Sequence, residues 1–255
     1  MKSVIYETKG RAKEFNELAI NLFSGCEHNC IYCYGADVTH QERYDFQHRV
    51  FPRISLADVE QSARAWVDKG ETRRVLLCFV TDPYTPIEQE TQFTRRTIEI
   101  LHAHGLNVHI LTKGGMRATR DFDILTPKDA YATTLTCLHE KDSLYWEPHA
   151  AVPVERIRSL QMAHDKGIET WVSLEPVIYP QDAEYLVQLT HEFVQHYKVG
   201  TFNYHPHGKT INWHDFGFHM KQFMDGLGVK YYFKKDLVRE MGVPFDQFKQ
   251  TWVCR

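Results

Sequence analysis

Residues 25–34 read GCEHNCIYCY, a stretch in which Cys26, Cys30 and Cys33 stand at the spacing C-x3-C-x2-C. Three thiolates can ligate three irons of a cubane iron–sulfur cluster and leave the fourth iron open to a further ligand. The remaining cysteines are scattered along the chain at Cys78, Cys137 and Cys254. Because crowded thiols in a reducing compartment indicate metal rather than disulfides, the stretch predicts a metal centre.

A zinc site is the alternative that the same residues leave open. Structural zinc prefers four protein ligands, and His28 or His40 could complete a set begun by the three thiolates. Zinc fingers usually pair their ligands across a hairpin or knuckle, whereas this stretch follows an apolar run that is typical of a strand. This context favours an iron–sulfur cluster and keeps zinc as the rival.

The composition describes a globular chain without a bulk electrostatic preference. Of its 255 residues, 43% are hydrophobic and 25% are charged, which supplies apolar material for a core and argues against disorder. The formal net charge of -3 gives no overall attraction to DNA or to an anionic membrane. The first residues lack an apolar signal core, and no run approaches the roughly 20 apolar residues of a membrane span. We therefore expect a cytoplasmic protein.

Short apolar runs alternate with amphipathic segments about six times along the chain. The predicted strands are Leu18–Phe23, Val75–Val80, Val108–Leu111, Tyr131–Thr136, Thr170–Leu174 and Thr201–Tyr204. The predicted helices are Leu56–Lys69, Phe93–His104, Pro153–Lys166 and Asp182–His196. This alternation indicates right-handed βαβ units and a mainly parallel sheet. Six units fall short of a closed barrel, so they predict an α/β fold that is a partial (β/α)6 barrel.

The alternation fades after Tyr204, which divides the chain into three predicted regions. Residues 1–15 form an N-terminal extension, and residues 16–212 form the barrel. Residues 213–255 form a C-terminal extension packed on the barrel, with a helix over His214–Leu227 and an edge strand over Val229–Phe233.

Polar and metal-capable side chains follow the predicted strands at their carboxyl ends. They are the cysteine stretch, Thr81-Asp82, Thr112-Lys113, Thr136-Cys137, Glu175 and the histidines of His205-Pro206-His207. In parallel α/β folds, ligands gather at this end of the sheet. The residues therefore predict a single ligand-binding opening at the carboxyl end of the sheet, which we call the mouth.

With this motif and this strand pattern, the chain resembles the radical S-adenosylmethionine (SAM) superfamily, whose partial barrel carries the same cysteine spacing after its first strand. More narrowly, it is similar to the spore photoproduct lyase branch. The matching residues lie between about Asn21 and Pro180 and are Tyr32-Cys33-Tyr34, Thr81-Asp82-Pro83-Tyr84, Pro86-Ile87-Glu88, Thr94-Arg95, Thr112-Lys113, Arg120-Asp121, Glu147-Pro148, Arg156 and Gly167.

The resemblance implies an enzyme whose three motif cysteines hold a 4Fe-4S cluster with an open iron for SAM. Reductive cleavage of SAM would then give a 5′-deoxyadenosyl radical that abstracts a hydrogen atom from the substrate. The implied SAM contacts are Tyr34, Thr81, Asp82, Lys113 and Thr136. An electron donor of the flavodoxin or ferredoxin type is implied as well.

The lyase branch further implies a nucleobase or nucleic-acid substrate and a role in DNA repair. Two rival functions stay open. One is a radical SAM enzyme for a small molecule or a peptide, and the other is a non-catalytic zinc or iron–sulfur binding module.

Two further cysteines are candidate catalytic residues. Photoproduct lyases return a hydrogen atom to the substrate radical from a cysteine just beyond the second strand. Alignment on Thr81-Asp82 puts Phe79 at that position and Cys78 one residue earlier. Since a shift of one residue turns a strand side chain to the opposite face, Cys78 points into the site only if a bulge intervenes. Cys137, at the end of a later strand, is the second candidate donor.

Two other patterns bear on function. His191–His196 reads HEFVQH, one residue longer than the zinc-protease helix motif, so its histidines lie about 140° apart on a helix and are predicted to face solvent. Aromatic side chains in predicted loops offer surfaces for stacking on a base, although core packing explains them equally well. They are Tyr84, Tyr145, Trp146 and Trp213.

We expect Cys30→Ala to abolish cluster assembly while leaving the fold largely intact, because the loss of one thiolate leaves a cubane with two protein ligands. Iron content and brown absorbance after anaerobic reconstitution measure assembly, and circular dichroism checks the fold. Full iron and full activity in this variant would contradict the cluster assignment.

Overall fold

The computed structural model describes residues 3–252, which places Cys254 outside the described part of the chain. The strands are β1 (Tyr6–Glu7), β2 (Leu18–Ile20), β3 (Val75–Leu77), β4 (Val108–Thr112), β5 (Ala130–Thr134), β6 (Glu169–Leu174), β7 (His196–Val199) and β8 (Lys230–Phe233). The α-helices are α1 (Gly35–Thr39), α2 (Arg43–His48), α3 (Leu56–Val67), α4 (Glu88–Thr91), α5 (Phe93–Ala103), α6 (Glu140–Trp146), α7 (Pro153–Asp165), α8 (Pro180–Thr190), α9 (Trp213–Leu227) and α10 (Lys235–Glu240). Three 3₁₀ turns lie at Gly10–Glu14, Gly115–Asp121 and Pro206–Thr210. None of the helices within residues 3–252 has the length and apolar character needed to cross a membrane.

The strands form one sheet in chain order, from β1 at one edge to β8 at the other. β2 to β8 run parallel, and the short β1 pairs antiparallel with β2. α-Helices return the chain between successive parallel strands, except between β4 and β5, where the connection holds only the 3₁₀ turn Gly115–Asp121. The predicted fold class is confirmed: the chain is an α/β protein with an open parallel sheet of the partial-barrel type.

The inner face of the curved sheet is filled by side chains. Ala19, Leu76, Ala132 and Trp171 form one buried cluster with Phe15 from the segment before β2. The register places Ala19 beside Leu76 and Ala132 beside Trp171 on neighbouring strands. Because strand residues alternate between faces, the residues next to these in sequence, such as Ile20 and Val172, pack instead with the helices.

A buried lysine ties the N-terminal segment to the sheet. Lys198 of β7 is 0% exposed, and its Nζ donates hydrogen bonds to the carbonyl oxygens of Glu14 (2.9 Å) and Phe15 (2.8 Å). The same ammonium lies 4.5 Å from the centroid of the Trp171 ring. Carbonyl oxygens and aromatic faces stabilise this cation away from water.

The sixth predicted strand was placed wrongly. β7 occupies His196–Val199, and Thr201–Tyr204 belongs to the loop that follows it. The helix predicted to reach His196 ends at Thr190. His196, predicted to face solvent, is 1% exposed and stacks against the rings of Trp171 (5.5 Å) and Trp252 (3.8 Å). The sequence HYKV does not look apolar, and only these tertiary contacts allow it to be buried.

The other five predicted strands overlap β2 to β6, and the predicted edge strand corresponds to β8. β8 pairs parallel with β7, so the described sheet has one more parallel strand than the six predicted. The predicted helix over His214–Leu227 matches α9 to within one residue.

Candidate active site

The cysteine loop follows β2 and is held against α2. The backbone N–H of Cys26 donates to the carbonyl of Phe46 (2.9 Å). A Cβ on Gly25 would lie 2.2 Å from that carbonyl oxygen, and one on Gly35 would lie 2.4 Å from the Phe46 ring. Glycine is therefore required on both sides of the motif, since either added atom would overlap its neighbour.

Arg43 of α2 organises the backbone between the cysteines. Its guanidinium donates to the carbonyl oxygens of Ile31 (2.7 Å), Cys30 (2.9 Å) and Cys33 (3.3 Å). A guanidinium presents several donors in a fixed plane, so one side chain can fix several carbonyls at once. The path of the loop therefore depends on a residue ten positions beyond its last cysteine.

The three motif thiols lie close enough to influence one another. Burial raises the pKa of all three thiols, and the pKa of Cys26 is raised further by Asp82 and by Cys30 and Cys33. The Lys113 ammonium acts in the opposite direction on the pKa of Cys30 and of Cys33. Cys33 Sγ also accepts the backbone N–H of Gly35 (3.3 Å). Lys113 and this N–H favour the thiolate form needed by a metal, as do the backbone of His28 for Cys26, Arg156 for Cys30 and Arg43 for Cys33.

The donor set fits the cluster that the sequence predicts. Cys26, Cys30 and Cys33 carry free thiols in the structure. Within residues 3–252, no three His, Cys, Asp or Glu side chains converge on the position of a single ion. A cubane does not require such convergence, because each thiolate binds a different iron.

Glu147, which follows α6, lies at the centre of a buried charged group beside the cysteine loop. Its carboxylate accepts hydrogen bonds from the hydroxyls of Tyr32 and Thr136, the latter at 3.0 Å. It lies 3.9 Å from Lys113 Nζ and 2.5 Å from a guanidinium nitrogen of Arg156. The Arg156 contact joins charges without hydrogen-bond alignment, since Oε2 accepts no bond of normal geometry.

The charges in this group set each other's protonation. Burial acts to raise the pKa of Glu147, but Arg156 and Lys113 outweigh it and the pKa is lowered. Burial acts to lower the pKa of Lys113, and Glu147 and Cys30 raise it above its ordinary value. Glu147, Lys113 and Arg156 are therefore all charged at neutral pH. Buried ionic groups keep their charge only when they are paired in this way.

Asp82 forms a second polar centre that joins β3, β4 and the cysteine loop. One carboxylate oxygen accepts the N–H of Tyr84 (2.8 Å) and the hydroxyl of Thr112 (2.5 Å). The other accepts the N–H of Lys113 (2.7 Å) and lies 3.4 Å from His28 Nδ1. The carboxylate predicted to contact SAM is thus surrounded by groups of the protein itself.

His28, one of the two candidate zinc ligands, is engaged elsewhere. Its Nε2 lies 2.8 Å from the guanidinium of Arg117, and its Nδ1 faces Asp82. Burial lowers the pKa of His28 to about 4. The other candidate, His40, is exposed at the end of α1 with a left-handed backbone conformation.

The remaining predicted SAM contacts lie around the same loop. Tyr34 precedes α1 and is 37% exposed, and Thr136 is buried against Glu147. Thr81 follows β3, and its buried hydroxyl acts against the burial that raises the pKa of the neighbouring Cys78 thiol. Lys113 and Thr136 both contact Glu147, as Tyr32 does. Thr81 and Asp82 instead follow β3, and Asp82 bonds residues at the end of β4.

The two candidate catalytic cysteines occupy different environments. Cys78 has a positive φ of 62°, so it departs from regular strand alternation, and its side chain belongs to the large helix-facing core. Its Sγ accepts the N–H of Leu22 (3.4 Å). Cys137 lies in a separate aromatic cluster with Trp146 and Phe202, next to Thr136.

Several residues of this site carry no signal that the sequence pattern could reveal. Glu147 and Arg156 matched the family resemblance but follow or begin helices rather than ending strands. Arg43 and Arg117 form part of no recognisable motif. Their roles depend on contacts with residues that are distant in sequence, and neither periodicity nor motif spacing predicts such contacts.

We expect Arg156→Met to destabilise the protein by about 3–5 kcal/mol at neutral pH, because it leaves a buried carboxylate without its main partner. The double variant Glu147→Gln with Arg156→Met removes both charges and should recover most of the loss. Denaturant unfolding measures both effects.

The pH dependence separates charge pairing from packing. Folding lowers the pKa of Glu147, so in the wild type the stabilisation is complete above the ordinary carboxyl pKa and is lost as the pH falls through the lower folded value. In Arg156→Met, burial favours the protonated acid, so the loss of stability should shrink between about pH 7 and about pH 5. An equal loss at both pH values, with no recovery in the double variant, would contradict this assignment.

Comparison with known proteins adds the family. Residues 20–193 match the family profile described as the radical SAM superfamily. The uncharacterized protein MJ0683 of Methanocaldococcus jannaschii is 26% identical over 182 residues, covering 70% of this chain and 67% of that protein. The uncharacterized protein ORF301 of Acidianus two-tailed virus is 25% identical along the whole chain, covering 86% of that protein.

Solved structures share the fold. A variant of spore photoproduct lyase with bound AdoMet and dinucleoside spore photoproduct superposes with a TM-score of 0.63 at 16% identity, covering 79% of this chain and 61% of that one. Streptococcus suis SuiB bound to S-adenosylmethionine gives a TM-score of 0.63 at 12% identity, covering 87% of this chain and 48% of SuiB. This chain thus spans well under two thirds of either solved protein. Because the family match covers more than half of the chain, including the cysteine loop and the strand ends around it, the chain belongs to the radical SAM superfamily.

Proposed function

We propose that this protein binds a 4Fe-4S cluster through Cys26, Cys30 and Cys33 and reductively cleaves SAM to act on a nucleobase substrate. The observation that carries the proposal is the position of the three thiols beside a buried group of one carboxylate and two cations near the strand ends. When bound, the cluster supplies the electron that breaks the sulfur to 5′-carbon bond of SAM, giving methionine and a 5′-deoxyadenosyl radical.

Lys113 is the residue best suited to hold the SAM carboxylate. Its side chain is 17% exposed and its ammonium lies 3.9 Å from Glu147, so it keeps donors for an incoming anion. Arg156 neutralises Glu147 from the other side, which leaves one positive charge of the group for a ligand. Thr136 donates to the Glu147 carboxylate and Tyr34 follows the last motif cysteine, and we assign both to SAM as well.

Asp82 and Thr81 enter the proposal in different ways. The Asp82 carboxylate already accepts two backbone N–H groups and a hydroxyl, so its role at the site is to fix the backbone of Lys113 and the position of His28. Thr81 follows β3 next to Asp82, and we assign its buried hydroxyl to a polar atom of SAM.

A nucleobase substrate is supported by the likeness to spore photoproduct lyase, whose structure holds a dinucleoside spore photoproduct. We extend this to a lyase-like or nucleobase-modifying reaction of the DNA-repair type in the cytoplasm, with an electron donor of the flavodoxin or ferredoxin class. A small-molecule or peptide substrate is the rival within the same chemistry.

Of the two buried cysteines, Cys137 is better placed to return a hydrogen atom to the substrate radical. It lies beside Thr136 and in contact with the aromatic cluster that includes Tyr32 at its edge. Cys78 instead packs among the apolar side chains between the sheet and the helices.

Anaerobically reconstituted, dithionite-reduced protein should release 5′-deoxyadenosine from SAM, and the release should rise when ultraviolet-irradiated DNA is added. Chromatography of the quenched reaction measures the nucleoside, and unirradiated DNA is the control. Release indifferent to DNA would keep the radical chemistry and overturn the nucleobase substrate. The absence of release from an iron-loaded sample would overturn the enzymatic proposal.

Cys137→Ala should lower the ratio of product to 5′-deoxyadenosine, because hydrogen abstraction continues while the return of a hydrogen atom fails. Cys78→Ala is the matched variant, since it also removes one buried thiol, and it should leave the ratio near that of the wild type. A lower ratio in Cys78→Ala alone would reverse this assignment.

A further inference from the structure

A cleft of about 650 Å³ opens in the loop that follows β7. Its lining comes mainly from the loop and from the start of α9, and includes Phe202, Tyr204, His205, Gly208 and Lys209, with Glu240 of α10. This volume lies within the range of small-ligand sites. The loop begins at the carboxyl end of a parallel strand, where ligands bind in folds of this kind.

The cleft borders the cysteine loop. Phe202, in its wall, packs edge to face against the ring of Tyr32 with centroids 5.6 Å apart. The Tyr204 ring lies 6.1 Å from the ring of Tyr34. Phe202 also belongs to the cluster that contains Cys137. A ligand in the cleft would therefore lie next to the residues assigned to SAM and to hydrogen return.

Tyr204 presents an aromatic face to solvent at the cleft. It is 75% exposed, although its backbone has a φ of 63°, a conformation that large side chains rarely adopt. The guanidinium of Arg11 lies 5.4 Å from its ring centroid. An exposed ring held in a costly conformation and flanked by a cation indicates a binding surface rather than a packing residue.

The aromatic wall of the cleft is fixed in place by its own loop. His205 stacks on Phe202 with centroids 5.1 Å apart and an interplanar angle of 11°. Trp146 packs edge to face against both rings. A Cβ on Gly208 would lie 2.0 Å from the carbonyl oxygen of Phe202, so the turn closes tightly over this wall. A planar ligand would meet surfaces that need little ordering on binding.

The polar groups of the cleft suit a base with an attached phosphate. Nδ1 of His205 accepts the backbone N–H of His207 (3.2 Å), so the neutral ring carries its proton on Nε2 as a donor. Lys209 is exposed at the cleft and Arg11 lies beside Tyr204, which places two cations near the aromatic surface. Glu240 is the acidic member of the lining.

We propose that this cleft binds an unstacked nucleobase of single-stranded nucleic acid, with Tyr204 as its stacking platform. The inference rests on the proposed nucleobase substrate and names the surface that holds it. Stacking on an aromatic face with a nearby cation for the backbone is how proteins bind single strands with little sequence preference. A peptide would gain less from a flat, cation-flanked ring.

The test is the affinity of the SAM-free, cluster-reconstituted protein for a fluorescein-labelled single-stranded oligodeoxythymidine, measured by fluorescence anisotropy. Tyr204→Asn removes the ring and places a residue that tolerates positive φ, so it should raise the Kd about tenfold without added strain. Tyr204→Phe keeps the ring and should stay within about twofold of the wild type. Tyr185→Asn, which removes an exposed tyrosine on α8, is the control and should leave the Kd unchanged.

Lys209→Ala should reduce the slope of log affinity against log salt by about one, as expected for the loss of one phosphate contact. An equal Kd for wild type and Tyr204→Asn, or binding of an unrelated peptide in place of the oligonucleotide, would overturn the inference. Because this measurement needs no SAM cleavage, oligonucleotide binding without 5′-deoxyadenosine release would sink the proposed reaction and leave the cleft assignment standing. Release of 5′-deoxyadenosine without Tyr204-dependent oligonucleotide binding would support the proposed reaction and overturn the cleft assignment.

Discussion

The carboxylate of Glu147 is completely buried, and the charges that keep it ionised come from two other elements of the fold. Arg156 approaches from α7 and Lys113 from the end of β4, while Tyr32 reaches it from the cysteine loop. Breaking such a buried pair costs far more than breaking a surface pair. The cysteine loop, the sheet and the outer helices are therefore held together at this carboxylate.

Asp82 is a second carboxylate that links separate elements of the fold at the mouth. It bonds backbone and side-chain groups from the β3 and β4 ends and faces His28 of the cysteine loop. The two carboxylates share Lys113, whose backbone N–H meets Asp82 and whose ammonium meets Glu147. One lysine thus couples both centres, and its ammonium is the group that we propose to hold the carboxylate of SAM.

The sequence predicted most of the sheet because β2 to β6 are apolar runs with turns at their ends, and buried parallel strands must be apolar. β7 was not predicted, because His196 and Lys198 are buried by stacking and by cation–π contacts that no local sequence pattern encodes. The cysteine spacing and the strand-end residues located the mouth. Arg43 carried no signal in the sequence, and Glu147 and Arg156 were named only through the family resemblance, because the positions of all three depend on how α2, α6 and α7 pack.

We propose that Cys26, Cys30 and Cys33 hold a cubane whose fourth iron is open to SAM. Electron paramagnetic resonance of the dithionite-reduced, anaerobically reconstituted protein tests it most directly, together with its iron and sulfide content. The reconstituted protein should contain about four irons and four sulfides per chain, and its cluster signal should change when SAM is added. A single zinc or iron per chain, or a four-iron signal that SAM leaves unchanged, would contradict it.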